Sequence, residues 1–410
     1  MKNLKSLKTI AYGTALIALA PLASCSNEEV TSPEPIVEND GTTLTLYLPD
    51  FTPDYVLSRT GEISATENTI TDLWFYAIPD GQDTEGKTGV FKAAKIIGSS
   101  TTDVPFANSN YKGYTVNSIQ QGKYKIYLLA NFEKYVNPTS GTVKDYMEGL
   151  NSSDAIEAVV LKFAGTNNEY SADKYLTSSS LPMAFLSDKI KKSKDDTNPA
   201  TTFEFSKTNN SVYADLTIQC AKVRYTVLFD NTPNTGYSTD FYTTNVNFSN
   251  TASAAYVISQ TTVSSTANAS VSNIINGGLN NLPFNKCKYP EDNSSLLTVN
   301  PNGTDKISYE PDLSTQESDI WTDNAKKRAW QGTFYFPENP SNSSTTITVS
   351  PATGEDNIAK AGTFTLPKLE RGKFYDVVAK LVSPGTYIFD VNVYVRINPW
   401  EYVGTTPTTW

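Results

Sequence analysis

What most constrains this chain is the shortness of its patterned runs. Apolar residues recur at every second position for a few residues, stop at Gly, Pro, Asn or Asp, and begin again. "TLTLYL" (43–48) sets Leu44, Leu46 and Leu48 on one face, and "VNVYVRI" (391–397) does the same with Val391, Val393, Val395 and Ile397. "ENTITDLWFYAIPDG" (67–81) is a continuous apolar run closed by Pro-Asp-Gly, and "GKYKIYLLANF" (122–132) is a second strong run. Period two with turn residues between runs is the pattern of β-strands, alternating where one face is buried and continuous where both are. The one good helix candidate is short, "TVKDYMEGL" (142–150), with Thr142 as its cap. The 24 tyrosines and 18 phenylalanines, among many Thr, Ser and Asn, favour strands and turns in the same way. The expected fold is all-β, with Greek-key β-sandwiches and few short helices.

A polar, charge-mixed stretch at 188–210 separates two groups of strands, and "SVYADLTIQCAKVRYTVLF" (211–229) resumes strand character. The expected division is therefore an N-terminal sandwich over 60–210, a C-terminal sandwich over 211–398, and a tail at 399–410. Histidine is absent, which removes Ser-His-Asp and Cys-His catalysis and histidine-ligated zinc. The net charge of −10 disfavours nucleic acid, and no basic aromatic stripe opposes that reading. Neither a metal site nor a cofactor is indicated. Adjacent acids such as Glu28-Glu29 and Asp195-Asp196 sit in polar runs and read as solvated charge. Cys220 and Cys287 either pair or remain buried thiols.

The first thirty residues carry three lysines, an apolar run from Ile10 to Ala23, and then Leu22-Ala23-Ser24-Cys25. The run is too short to span a bilayer and reads as a signal peptide over 1–24. Small residues before a cysteine resemble a lipobox, so Cys25 is the expected lipidation (palmitate) site. Cleavage there removes Lys2, Lys5 and Lys8 and no acid, taking the charge from −10 to near −13. The acidic residues after Cys25 resemble a signal for delivery to the cell surface, and 26–41 reads as a flexible tether.

The last residues are unusual for a terminus. After Pro399, Trp400, Tyr402, Gly404, Thr406, Thr408 and Trp410 share parity, with Val403 between them. Extended, eleven residues reach about 36 Å at about 3.3 Å each. Such a segment is a hazard for a monomer unless another chain supplies the missing sheet. The other end offers a place for it. Arg59, one of five arginines, lies between strand 43–48 and the first continuous apolar run. A cut at Arg59–Thr60 would release 25–59 with Leu44, Leu46 and Leu48. The groove left behind could take the tail of a second subunit by donor-strand complementation. The competing reading folds 400–410 back as an edge strand of its own domain.

Taken in order, the lipoprotein start, "GTTLTLYLPD", "ITDLWFYAI", "YKIYLLANF", "AKVRYTVLF", "FYFPENP", "LERGKFYDVV" and the ending "NPWEYVGTTPTTW" resemble the fimbrillins, the major subunits of type V pili. The resemblance implies two transthyretin-like β-sandwiches in tandem, delivery to the outer membrane as a lipoprotein, and cleavage by an arginine-specific protease. Polymerisation with copies of itself and related pilins would follow, giving a structural, non-enzymatic fimbrial subunit at the cell surface, with a host or bacterial surface ligand possible. Carried onto this chain, Cys25 is the lipid site and Arg59–Thr60 the cut. Leu44, Leu46 and Leu48 line the displaced strand, and Trp400, Tyr402, Val403 and Trp410 belong to the donor, which either starts at Pro399 or includes Val391 to Ile397. The rival reading is a surface adhesin, tip pilin or carbohydrate-binding lipoprotein of the same sandwiches that does not polymerise.

Overall fold

The computed structural model describes residues 43–49, 67, 69–98, 106–108, 111–163, 174, 179–187, 189–193, 196–230, 241–257, 274–275, 285–287, 327–339, 344–353, 362–382 and 390–399. All belong to the second of the two units into which the chain divides, 39–410. Among them the fold is all-β. In chain order the first half runs β1 (Leu44–Pro49), β2 (Leu73–Pro79), β3 (Lys92–Ile97), β4 (Phe106–Asn108), β5 (Tyr111–Val116) and β6 (Gly122–Ala130). Two short helices follow, α1 (Val143–Glu148) and α2 (Ser153–Glu157), then β7 (Val160–Lys162), β8 (Met183–Phe185), β9 (Phe203–Phe205), β10 (Ser211–Tyr213) and β11 (Thr217–Ile218). The second half runs β12 (Ala221–Asp230), β13 (Phe241–Ser249), β14 (Thr251–Ala252), β15 (Ala254–Tyr256), β16 (Ile274–Ile275) and β17 (Asn285–Cys287). It ends with β18 (Lys327–Phe336), β19 (Thr346–Thr353), β20 (Gly362–Thr365), β21 (Lys373–Val382) and β22 (Asp390–Pro399).

The chain switches sheets repeatedly, as Greek-key connections require. In the first half β10-β1-β5-β4 form one sheet and β11-β8-β6-β2-β3 another, with β9 also paired to β6. In the second half β17-β18-β12-β21-β22 form one sheet and β13-β19-β20 another. The pair β7–β15 joins Val160–Lys162 to Ala254–Tyr256 across the two halves. Strands of the first two sheets lie on both sides of 210–211: β9 before it pairs with β6, β10 and β11 after it pair with β1 and β8, and sheet membership changes between Ile218 and Ala221. The strand character that resumes at 211 is carried by three strands, β10, β11 and β12, in three different sheets.

The continuous apolar run of β2 is explained by its place. It lies between β3 and β6, and Leu73, Phe75, Tyr76 and Ala77 are fully buried. The expected helix is α1, capped by Thr142 with a reciprocal capping box to Asp145. That box holds the Asp145 carboxyl below its usual range through hydrogen bonds from the Thr142 side chain and backbone.

Three polar clusters are buried in the fold, one within the second half and two between the halves. Arg224 donates to both carboxylate oxygens of buried Asp376, from Nε at 3.1 Å and Nη2 at 2.9 Å, linking β12 to β21. Arg371 donates to Glu338 (2.8 Å), to Gln219 Oε1 (2.6 Å), to the Tyr256 carbonyl (2.6 Å) and to the Val257 carbonyl. Lys368 adds a second cation at 2.9 Å from Glu338. Burial opposes ionisation of Glu338, but Arg371 and Lys368 prevail and hold its carboxyl below the usual range. The third cluster, at Glu67, belongs to the site.

Candidate functional site

β1 is the best-placed element for a removable part. Its residues alternate, yet all six are buried. Leu44 (1%), Leu46 (0%) and Leu48 (1%) enter the hydrophobic core, as the alternation predicts. The opposite face is covered as well, with Thr45 at 3% and Tyr47 at 4%. The Tyr47 ring stacks on Tyr213 at 4.4 Å and 11° between planes, and Tyr111 meets Tyr213 edge-on at 5.3 Å. Gly113 stands opposite Tyr47 in the ladder and, having no side chain, leaves room for the ring.

The strand is internal to its sheet. It runs antiparallel to β5 over six pairs, Leu44↔Val116 to Pro49↔Tyr111, and parallel to β10 over three, Thr45↔Ser211 to Tyr47↔Tyr213. Backbone bonds from Thr45 N to the Asn210 carbonyl (2.8 Å) and from Ala214 N to the Tyr47 carbonyl (3.1 Å) tie it to the β10 segment. Within this sheet β10 pairs with β1 alone, so taking β1 away opens two ladder edges at once. The outer wall keeps other supports. Lys191 and Tyr213 exchange two backbone bonds (2.9 and 3.2 Å), and Lys191 Nζ lies 2.7 Å from Asp215. Val212 and Ala214 are fully buried.

Beyond the stretch that contains Arg59 the chain is pinned again. The Glu67 carboxylate, 2% exposed, lies 2.8 Å from Lys222 Nζ on β12 and accepts from the Tyr335 hydroxyl on β18 at 2.5 Å. Burial and this carboxylate push the Tyr335 hydroxyl far above its ordinary value. Asn131, in a left-handed conformation and fully buried, accepts from Thr71 N (2.7 Å) and donates to the carbonyls of Thr69 and Leu181 (2.8 Å each). Together these contacts anchor the chain from Glu67 onward.

The other expected site residues, Cys25, Arg59, Thr60, Trp400, Tyr402, Val403 and Trp410, lie outside the described residues. Cys220 is a buried free thiol whose pKa burial pushes well up. Among the described residues no three metal-ligating side chains cluster. Sequence reasoning missed the second wall of the site, β10 with Tyr213, because three residues inside a longer apolar run give no signal of their own. It also missed Glu67 and Arg371, whose partners lie far away in sequence.

No family model matches this chain, and no curated protein matches it. Solved structures do. The chain is similar to a candidate cell adhesion protein from Bacteroides eggerthii, with 14% identity, a TM-score of 0.45, and coverage of 89% of this chain and 97% of that one. It is similar to a fimbrial assembly protein from Parabacteroides distasonis, with 16% identity, a TM-score of 0.40, and coverage of 87% and 99%. It is also similar to the C-terminally truncated tip fimbrial protein Mfa3 from Porphyromonas gingivalis, with 11% identity, a TM-score of 0.39, and coverage of 87% and 100%.

Proposed function

We propose that this chain is a structural subunit of a cell-surface fimbria that is exported as a lipoprotein through Cys25. It is cut after Arg59 by an arginine-specific protease and polymerises by donor-strand exchange. The observation that carries the reading is the setting of β1. It is the first described strand, it fills the interior of a sheet, both its faces are buried, and it precedes the candidate cut. A single cut at Arg59 leaves every other described strand covalently intact. What remains is a slot lined by apolar side chains and two rows of backbone donors and acceptors, which favours occupation by another strand. A C-terminal segment of a neighbouring copy fills it. The subunit works by binding, without a catalytic step.

N-terminal sequencing of fibres taken from the cell surface tests this. Assembled subunits should begin at Thr60 and lack residues 44–48. Fibres whose subunits retain β1 overturn the reading, and an intact Cys25 start on monomers alone favours a non-polymerising surface adhesin.

A further inference from the structure

We propose that the segment of a second copy that replaces β1 is Val391–Val395 of β22, with Val391 at the place of Leu44 and Tyr394 at the place of Tyr47; this rests on the donor-strand reading above. The vacated slot imposes four conditions. The incoming strand runs in the direction of β1, antiparallel to β5 and parallel to β10. It presents three aliphatic side chains at alternate positions, where Leu44, Leu46 and Leu48 are 0–1% exposed. It places an aromatic ring at the fourth position, opposite Gly113 and against Tyr213. It carries a small polar residue at the second position, that of Thr45.

"LTLYL" and "VNVYV" meet these conditions position by position. The pattern of Val, Ile or Leu, then a polar residue, then Val, Ile or Leu, then Tyr, then Val, Ile or Leu occurs in this sequence at 44–48 and 391–395 and nowhere else. The tail beyond Pro399 fits poorly in the same slot. With Trp400 at the place of Leu44, Tyr402 falls at that of Leu46, Gly404 at that of Leu48 and Val403 opposite Gly113. Two rings then overpack a site shaped for leucines, glycine leaves the third place empty, and no ring meets Tyr213. With Tyr402 at the place of Tyr47, Glu401 falls at the fully buried place of Leu46.

β22 is able to move. It lies at the end of its sheet order and pairs with β21, so it can peel away without dividing the sheet. Leaving β21 gives up ten pairs, Lys373↔Pro399 to Val382↔Asp390, and the slot returns six with β5 and three with β10. Backbone pairing is therefore ten pairs against nine, and side-chain fit in the slot selects the register. Residues 397–410 then extend past the slot, beyond the place of Pro49.

Crosslinking tests the register in the full chain. Thr115 is partly exposed and stands opposite Thr45, so it would stand opposite Asn392 here and opposite Glu401 if the tail entered instead. Directly opposed strand residues are close enough for a disulfide. Thr115→Cys protein is mixed with Asn392→Cys or with Glu401→Cys protein and cut after Arg59, and non-reducing gels with peptide mapping read the product. A 115–392 disulfide that forms only in mixed, cut samples is the expected result. A 115–401 disulfide with none at 392 overturns the register and leaves donor-strand exchange standing. Cut samples from which the 25–59 peptide has been removed, and which still form no oligomer, overturn both. In unsubstituted cut protein, the synthetic peptide DVNVYVR (390–396) should suppress oligomers at a concentration tenfold or more below PWEYVGT (399–405). The reverse order overturns the proposal.

Discussion

Cutting the chain after Arg59 severs a covalent link without removing a single contact of β1, and the size of those contacts decides whether the severed strand stays in place. Burying a leucine side chain contributes about 1.5–3 kcal/mol. Leu44, Leu46 and Leu48 are all at 1% exposure or below, and Tyr47 stacks on Tyr213. The stack adds about 0.5–1.5 kcal/mol. Together β1 contributes roughly 5–10 kcal/mol, an upper figure because unfolded chains already bury some surface. Whole domains have about 5–15 kcal/mol of net stability. Backbone pairing with β5 and β10 adds to this, and ordering the free strand offsets part of it; a net of about 8 kcal/mol corresponds to a dissociation constant near 1 μM, so the cut strand should stay bound. Protein purified at tens of micromolar, cut at Arg59 and passed over a sizing column should carry the released peptide in the main peak, as read by mass spectrometry. An excess of a competing strand peptide should displace it. Leu46→Ala, which leaves a cavity worth about 2–5 kcal/mol, should weaken retention by about 30-fold or more. If the peptide separates at once from wild-type protein and the thermal midpoint does not change, β1 is not the stabilising element its burial implies.

Glu67→Ala should destabilise the fold by about 3–5 kcal/mol in urea denaturation, because it removes the carboxylate that compensates a buried Lys222 ammonium. Tyr213→Ala should shorten retention of the cut strand while leaving the uncut protein folded by circular dichroism, since it removes the ring on which Tyr47 stacks. Asp72 gives a pH test. Burial, aided by the nearby Glu133 charge, raises its pKa from 3.8 to about 6. The folded state then holds a proton that the unfolded state has released, so stability falls as pH rises from about 4 to 6. Asp72→Asn should flatten that part of the denaturation-midpoint profile. Glu338 runs the other way. Its lowered pKa contributes stability above the unfolded carboxylate range, and this is lost as pH falls through the folded value. Arg371→Met should reduce that acid-side dependence, leaving the part due to Lys368, and cost about 3–5 kcal/mol at neutral pH.

The inner face of the site was legible from the sequence. Alternation alone placed Leu44, Leu46 and Leu48 together, and the structure buries all three. The outer face was not, because parity marks which residues share a side and says nothing about a second layer covering the other. Thr45 and Tyr47 look like solvent-facing residues, yet both are buried, with Tyr213 stacked on Tyr47 and Tyr111 edge-on to Tyr213. β10 was hidden for a related reason. A parallel partner comes from far along the chain, here 166 positions from Thr45 to Ser211, and leaves no hairpin signature nearby. The Thr142 cap was read correctly because capping is local, and Arg371 was missed because its partners Gln219, Tyr256 and Glu338 are spread over both halves.

Among the described internal strands, β1 and β12 show what a single cut can and cannot free. β12 occupies the same kind of place in its sheet as β1, with an antiparallel neighbour on one side, β18, and a parallel one on the other, β21. Both are internal strands whose loss would open two ladder edges. β12 is joined at both ends to strands that must stay, so freeing it needs two cuts and divides the chain. β1 is joined to the rest of the described fold only through its C-terminal end, and one cut suffices. The parallel neighbour matters as well. Because β10 reaches β1 by a long crossover and not by a hairpin, the departing strand does not draw its wall along. Lys191 holds that wall by its backbone bonds to Tyr213, and β4 pairs with the opposite wall, β5. Both walls of the place β1 occupies therefore keep supports of their own when β1 is taken away.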